Sequence, residues 1–162
     1  MKKYNFLDCK HVATPFHSSV HLFPIKNDNE IINQKEYSSI IGRLRYATDC
    51  TRPHIAYVVG VLSRFTSKPR RDHWHAIEWV MKYLSGTKTY GLFYKKYLAM
   101  LEGFSDADLN ILSGDSLFTT CFIFTLGSCA ICWKSKKQTI IANSTMEDEF
   151  IALASASEEA NW

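Results

Sequence analysis

No stretch of this 162-residue chain is apolar for long enough to cross a bilayer, which takes about 18 residues or more. The opening, MKKYNFLDCKHVATPF, has lysines with no continuous apolar run behind them. It does not read as a secretory signal, and the expected location is cytoplasmic or nuclear. An even set of cysteines is also missing. The five present stand at 9, 50, 121, 129 and 132, and an odd count without a signal argues against a disulfide framework. Cys129 and Cys132 have redox or zinc spacing, but no second pair follows. In a strand, residues i and i+3 point to opposite faces, so the two sulfurs would not converge. There is no repeat and no low-complexity tract. What the chain does have is 46% hydrophobic and 14% aromatic residues, which argues against wholesale disorder. Its length suits one domain or two small ones.

Charge is unevenly placed. The formal net charge is +3, yet residues 1–97 hold 16 Lys and Arg against 7 Asp and Glu, a net +9, and residues 98–162 hold 3 against 9, a net −6. The basic part could face phosphates and the acidic part could hold cations. Solvated faces would account for both.

Residues 1–35 are irregular, with Pro15, Pro24 and the run KNDNE, and read as an extended arm and linker. From 36 the period becomes helical. Tyr37, Ile40, Ile41, Leu44 and Ala47 form one apolar stripe, and CTRPH then breaks the helix, with Pro53 suited to the first turn of the next. A second helix buries Ile55, Val58, Val59, Leu62 and Phe65 and stops at TSKP. In a third, Asp72 is the expected N-cap, Trp74, Ile77, Val80, Met81 and Leu84 form the stripe, and Gly86 is the expected stop. His73 and His75 diverge as helical i, i+2 neighbours and read as surface or packing residues, as Trp74 and Trp79 read as core.

From 90 the period moves toward two. YGLFYKK and LAMLEGFSD look like two strands around a short turn, SLFTTCFIFTLG and CAICWKSKKQTIIA like another pair. Gly127-Ser128 suits a tight hairpin with glycine first. A final helix starts at NSTMEDEF, with Ser144 and Glu147 as a capping box.

Two acid clusters stand out. Asp106 and Asp108 share one face of a strand, where a divalent cation is one way to offset their repulsion. In MEDEF, a helical wheel puts Met146, Phe150, Leu153 and Ser157 inward, Asp148 outward, and Glu149 beside the stripe, projecting toward the sheet. A carboxylate from the sheet and another from the covering helix can converge on Mg²⁺, which takes oxygen ligands; two ions about 4 Å apart can activate water against a phosphodiester. Asp115, in LSGDS, reads as a turn residue. Lys134, Lys136 and Lys137 in WKSKKQ could contact a phosphate backbone or keep a strand end soluble.

Taken together, DCKHVATPF (8–16), the run from YSSIIGRLRY to YGLFY (37–94), GFSDADLN, CWKSKKQ and STMEDEFIAL resemble the Pol polyprotein of copia-type LTR retrotransposons over almost the whole chain. The resemblance implies an α+β chain in three parts. These are an arm over 1–35, a helical reverse-transcriptase thumb and connection over 36–89, and the opening of a ribonuclease H-like domain over 90–162, about three antiparallel strands and one helix. It implies Asp106 and Glu149 as catalytic acids and Mg²⁺ ligands, with Asp108 accessory. The substrate would be an RNA–DNA hybrid, with other polyprotein fragments as partners and no membrane. The family's Tyr-x-Asp-Asp has no counterpart, and the third ribonuclease H acid would follow Trp162. Leu109-Asn110, Leu117 to Phe122 and Arg52-Pro53-His54 depart from the family pattern. The expectation is therefore a truncated remnant, inactive as an isolated chain. The alternative is a non-enzymatic binder of nucleic acid through its basic half, Arg43 and Arg45 included.

Overall fold

Asn33 starts the first helix. Its Oδ1 accepts from the backbone N–H groups of Lys35 (3.1 Å) and Glu36 (3.4 Å), two of the donors that a helix start leaves unpaired. The computed structural model describes residues 10–16, 32–94, 99–108 and 118–161, and the chain divides into two compact units, Met1–Gly91 and Leu92–Trp162.

In the first unit, α1 (Gln34–Thr51) is followed by a single 3-10 turn (Pro53–Ile55), α2 (Ala56–Ser63) and α3 (Arg71–Gly86). Tyr37, Ile40, Ile41 and Leu44 of α1 are buried, and the stripe runs on to Thr48 rather than Ala47. Thr48 is tolerated there because its hydroxyl donates to the Leu44 carbonyl (2.9 Å), which satisfies a buried polar group inside the helix. These side chains meet Ile55, Val58, Val59, Val61 and Leu62, and Ile77, Val80 and Leu84 of α3, in one core. Tyr37 crosses it and donates to the Leu62 carbonyl at 2.8 Å; burial pushes its phenol well above the usual range.

Arg70, not Asp72, occupies the N-cap of α3, and Asp72 falls in the first turn. Either place lets its negative charge face the helix start, but the cap contact is different: the Arg70 backbone N–H donates to His73 Nδ1 at 3.1 Å. His73 is buried and stacks on Phe65, with ring centroids 3.9 Å apart, while His75 is exposed. Gly86 is the last residue of α3 rather than the residue beyond it. The described part of the arm lies against this helix. Trp79 Nε1 donates to the Thr14 carbonyl (2.9 Å), and His11 Nδ1 lies 2.9 Å from Ser85 Oγ.

The second unit is a meander, β1 (Leu101–Asp108), β2 (Thr119–Leu126) and β3 (Cys129–Lys137), antiparallel in the order β1-β2-β3, followed by α4 (Thr145–Ala160). The strand expected over 90–96 does not form at 90–94; the rest of it, and the expected turn at Asp115, lie outside the described residues. Leu126 pairs with Cys129, leaving a two-residue turn. Both its residues have positive φ, 55° at Gly127 and 66° at Ser128. This is the type I′ pattern, whose twist matches that of the strands. A side chain in that conformation costs roughly 1–2 kcal/mol, so Ser128→Gly is expected to raise stability by about 0.5–1 kcal/mol. A denaturation midpoint unchanged or lowered by the substitution would refute this.

Candidate functional site

The sheet register decides which side chains share a surface. Directly paired residues face the same way, so Asp106, Cys121 and Ser135 form one row, and Ser105, Phe122 and Lys134 form a neighbouring row on the opposite face. Helix α4 covers the second face. Lys134 Nζ lies 3.7 Å from Glu159 Oε2 of α4, and Thr120 and Lys136 line a cavity together with Ile151 and Ser155. Asp106 and Asp108 therefore project from the face that α4 leaves uncovered, and both are exposed. Their charges reach Cys121. Burial pushes its thiol up, the hydrogen bond to Ser135 Oγ (3.3 Å) pulls it back, and the two aspartates raise it again.

Helix α4 is turned differently from the expected wheel. Its inner stripe is Asp148, Ala152 and Ala156, with Ile151 and Ser155 half-buried beside it. Met146, Phe150 and Leu153 are 69%, 64% and 52% exposed. The wheel fails because it follows hydrophobicity, whereas close approach of this helix to the sheet selects small side chains. Asp148, expected to point away, has no exposed surface, and neither carboxylate oxygen has a hydrogen-bond partner. Burial first, then the neighbouring Glu147 and Glu149 charges, raises its carboxyl above the ordinary carboxylate value. Glu149, expected to project toward the sheet, is exposed. The cap of α4 is half as expected. Ser144 Oγ accepts from the Glu147 N–H (3.2 Å), but the Glu147 carboxylate reaches one residue further back and accepts from the Asn143 N–H at 2.8 Å.

These positions do not fit a resident Mg²⁺. Among the described residues, no three His, Cys, Asp or Glu side chains gather where they could hold a metal ion. The sheet acid and the helix acid proposed as its ligands stand on a bare sheet face and an exposed helix face.

The cations are easier to place. Arg43 and Arg45 are exposed on α1, the latter 3.6 Å from Asp49. Such an exposed pair contributes little and leaves the guanidinium available to a phosphate. On β3, Lys134 pairs with Glu159 and Lys136 is exposed. Gln138, just past the end of the same run, is buried and was not marked by its residue type; its backbone N–H continues the sheet by donating to the Phe118 carbonyl at 2.9 Å. Cys129 and Cys132 are free thiols. No helix among the described residues is long and apolar enough to cross a membrane.

No family model matches the chain, and no solved structure matches it. Curated proteins do. Over its whole length the chain is 36% identical to the "Retrovirus-related Pol polyprotein from transposon TNT 1-94" of Nicotiana tabacum, of which it spans 13%. It is also 36% identical over its whole length to the corresponding polyprotein from transposon RE2 of Arabidopsis thaliana, of which it spans 11%. Over 127 residues, 78% of the chain, it is 42% identical to "Secreted RxLR effector protein 161" of Plasmopara viticola and covers 89% of that protein. Over its whole length the chain is thus similar to retrovirus-related Pol polyproteins of copia-type transposons, of which it spans little more than a tenth.

Proposed function

We propose that the chain is the thumb and connection of a copia-type reverse transcriptase followed by the opening of its ribonuclease H domain, and that it binds an RNA–DNA hybrid without cleaving it. The observation that carries this reading is the similarity to Pol polyproteins over the full chain. A three-stranded antiparallel meander followed by a helix supports the ribonuclease H part, and a separate helical unit before it supports the thumb and connection. Mg²⁺-dependent hydrolysis then belongs to the larger polyprotein, in which further parts would associate with this one. Among the described residues, no three acidic, histidine or cysteine side chains gather as a metal site.

Binding rests on phosphate contacts from Arg43 and Arg45 in one unit and Lys134, Lys136 and Lys137 in the other. Purified protein mixed with a labelled hybrid is expected to retard it in a gel at low salt and to release it steeply as salt rises. With Mg²⁺ added, no cleavage above the Asp106→Asn background is expected. Cleavage that vanishes in Asp106→Asn would overturn the non-hydrolytic reading. Failure to retard the hybrid at low salt would overturn the binding one.

A further inference from the structure

Residues 10–16 belong to no helix or strand, yet contacts that reach 65 and 74 positions along the chain hold them on the first unit. Trp79 Nε1 donates to the Thr14 carbonyl at 2.9 Å. Ser85 Oγ gives its one proton to the Lys82 carbonyl (2.8 Å), so it accepts from His11 Nδ1 at 2.9 Å. Val12 and Phe16 are partly buried against the core of the helices. Gly86 completes the seat. A Cβ there would stand 3.0 Å from His11 Cβ and 3.1 Å from its Cγ, and the three nearest atoms beyond its own helix all belong to His11. The last residue of α3 is bare where the arm lies.

The arm brings its own rigidity. Pro15 fixes one φ, and Thr14 Oγ1 donates to the Phe16 carbonyl (2.9 Å) within a bend over 13–16. A segment with its shape set beforehand loses less entropy on docking. Everything the seat recognises lies between His11 and Phe16. Sixteen residues, 17–32, then lead to Asn33 at the start of α1. A chain of that length can reach about 55 Å, enough to seat the arm on its own α3 or on that of a neighbouring molecule. The contacts are the same in both cases. What separates them is concentration, since a short tether gives the arm an effective concentration in roughly the millimolar range on its own seat.

We propose that the α3 seat is a peptide-docking site for the segment His-Val-Ala-Thr-Pro-Phe, and that it takes this segment from a second copy of the chain as well as from its own. Two copies joined in this way exchange an identical element: the seat on one molecule is completed by the arm of the other. Arm exchange needs no nucleic acid and stands or falls apart from the binding reading above.

Two full-length variants test it by complementation. In the first, Val12→Ser with Phe16→Ser removes the apolar anchors of the arm and leaves the seat intact. In the second, Gly86→Leu fills the place of His11 and leaves the arm intact; Gly86 is exposed, so the core is untouched. At concentrations on the order of 100 µM, below the effective concentration of a tethered arm, each variant alone is expected to sediment as a monomer. An equimolar mixture is expected to form a 1:1 complex in the analytical ultracentrifuge, and a synthetic peptide of residues 10–16 is expected to dissociate it. Adding Trp79→Phe to the first variant removes the donor to the Thr14 carbonyl and is expected to weaken the complex roughly threefold to tenfold, the range of one neutral hydrogen bond. Should the first variant lose helicity by circular dichroism, Phe16→Ser alone, mixed with Gly86→Leu, runs the same test. A mixture of folded variants that stays monomeric overturns the proposal, as does a complex that the peptide leaves intact or that Trp79→Phe does not weaken.

Discussion

Alanine in place of Asp148 is expected to stabilise the second unit by about 1–3 kcal/mol, the range for a buried polar group without a partner. Acids in the first turn of a helix are ordinarily favourable, by about 0.3–1 kcal/mol, and Ser144 and Glu147 already serve that end of α4. Asp148 adds little there and pays fully for desolvation, since it is completely buried and both its oxygens are orphaned. An alanine would extend the stripe of Ala152 and Ala156 by one turn. The pH dependence has a definite sign. Burial holds the folded-state carboxyl above its ordinary 3.8, so the folded chain keeps the proton more tightly than the unfolded chain does. The corresponding stabilisation is complete below about 3.8 and is lost as pH rises through the raised value. Asp148→Ala is expected to flatten that part of the profile as well as raise it. A lower denaturation midpoint in the alanine variant at neutral pH would show that the carboxylate has a stabilising partner after all.

Leu62→Ala is the change expected to cost most in the helical unit, about 2–5 kcal/mol for a core leucine that cannot be replaced by collapse of its neighbours. Leu62 is fully buried among residues of α1, α2 and α3, and its carbonyl receives the Tyr37 hydroxyl. Tyr37→Phe removes only that hydrogen bond, and the Leu62 carbonyl still accepts from the Phe65 N–H at 3.2 Å, so the cost is about 0.5–1.5 kcal/mol. The two effects should not add, because the side chains share a site. Urea titration followed by far-ultraviolet circular dichroism checks this. A Leu62→Ala loss smaller than about 1 kcal/mol would mean that the three helices do not share one core.

The helical unit was largely legible in the residues. Its apolar side chains repeat at 3.6, and Tyr37, Ile40, Ile41 and Leu44 are buried as that period requires. What escaped were the polar positions. Asn33 sits in a run that reads as linker, and Arg70 caps through backbone geometry that no side-chain preference announces. Thr48 is core because it can bond its own helix.

In the second unit the meander and the final helix were legible, and the tight turn was too, though Ser128 shares the positive φ that glycine alone was expected to supply. The candidate site was much less so. Whether Asp106 meets a helix acid depends on which sheet face α4 covers and on how α4 is rotated. Neither is written in local spacing. Large apolar side chains at 146, 150 and 153 outweighed the small ones at 152 and 156 in any count of hydrophobicity, and the count pointed to the wrong side. Gln138 carries no residue-type signal at all; its interest arises from being covered.

The meander also bears on how the chain comes to be folded during synthesis. Each strand neighbours the next one in sequence, with two residues between β2 and β3 and ten between β1 and β2, so every pairing is local and the β2–β3 pairing closes the shorter loop. The hairpin can zip as soon as Lys137 clears the ribosome, with no need to wait for distant segments, and α4 then closes over a sheet that already exists.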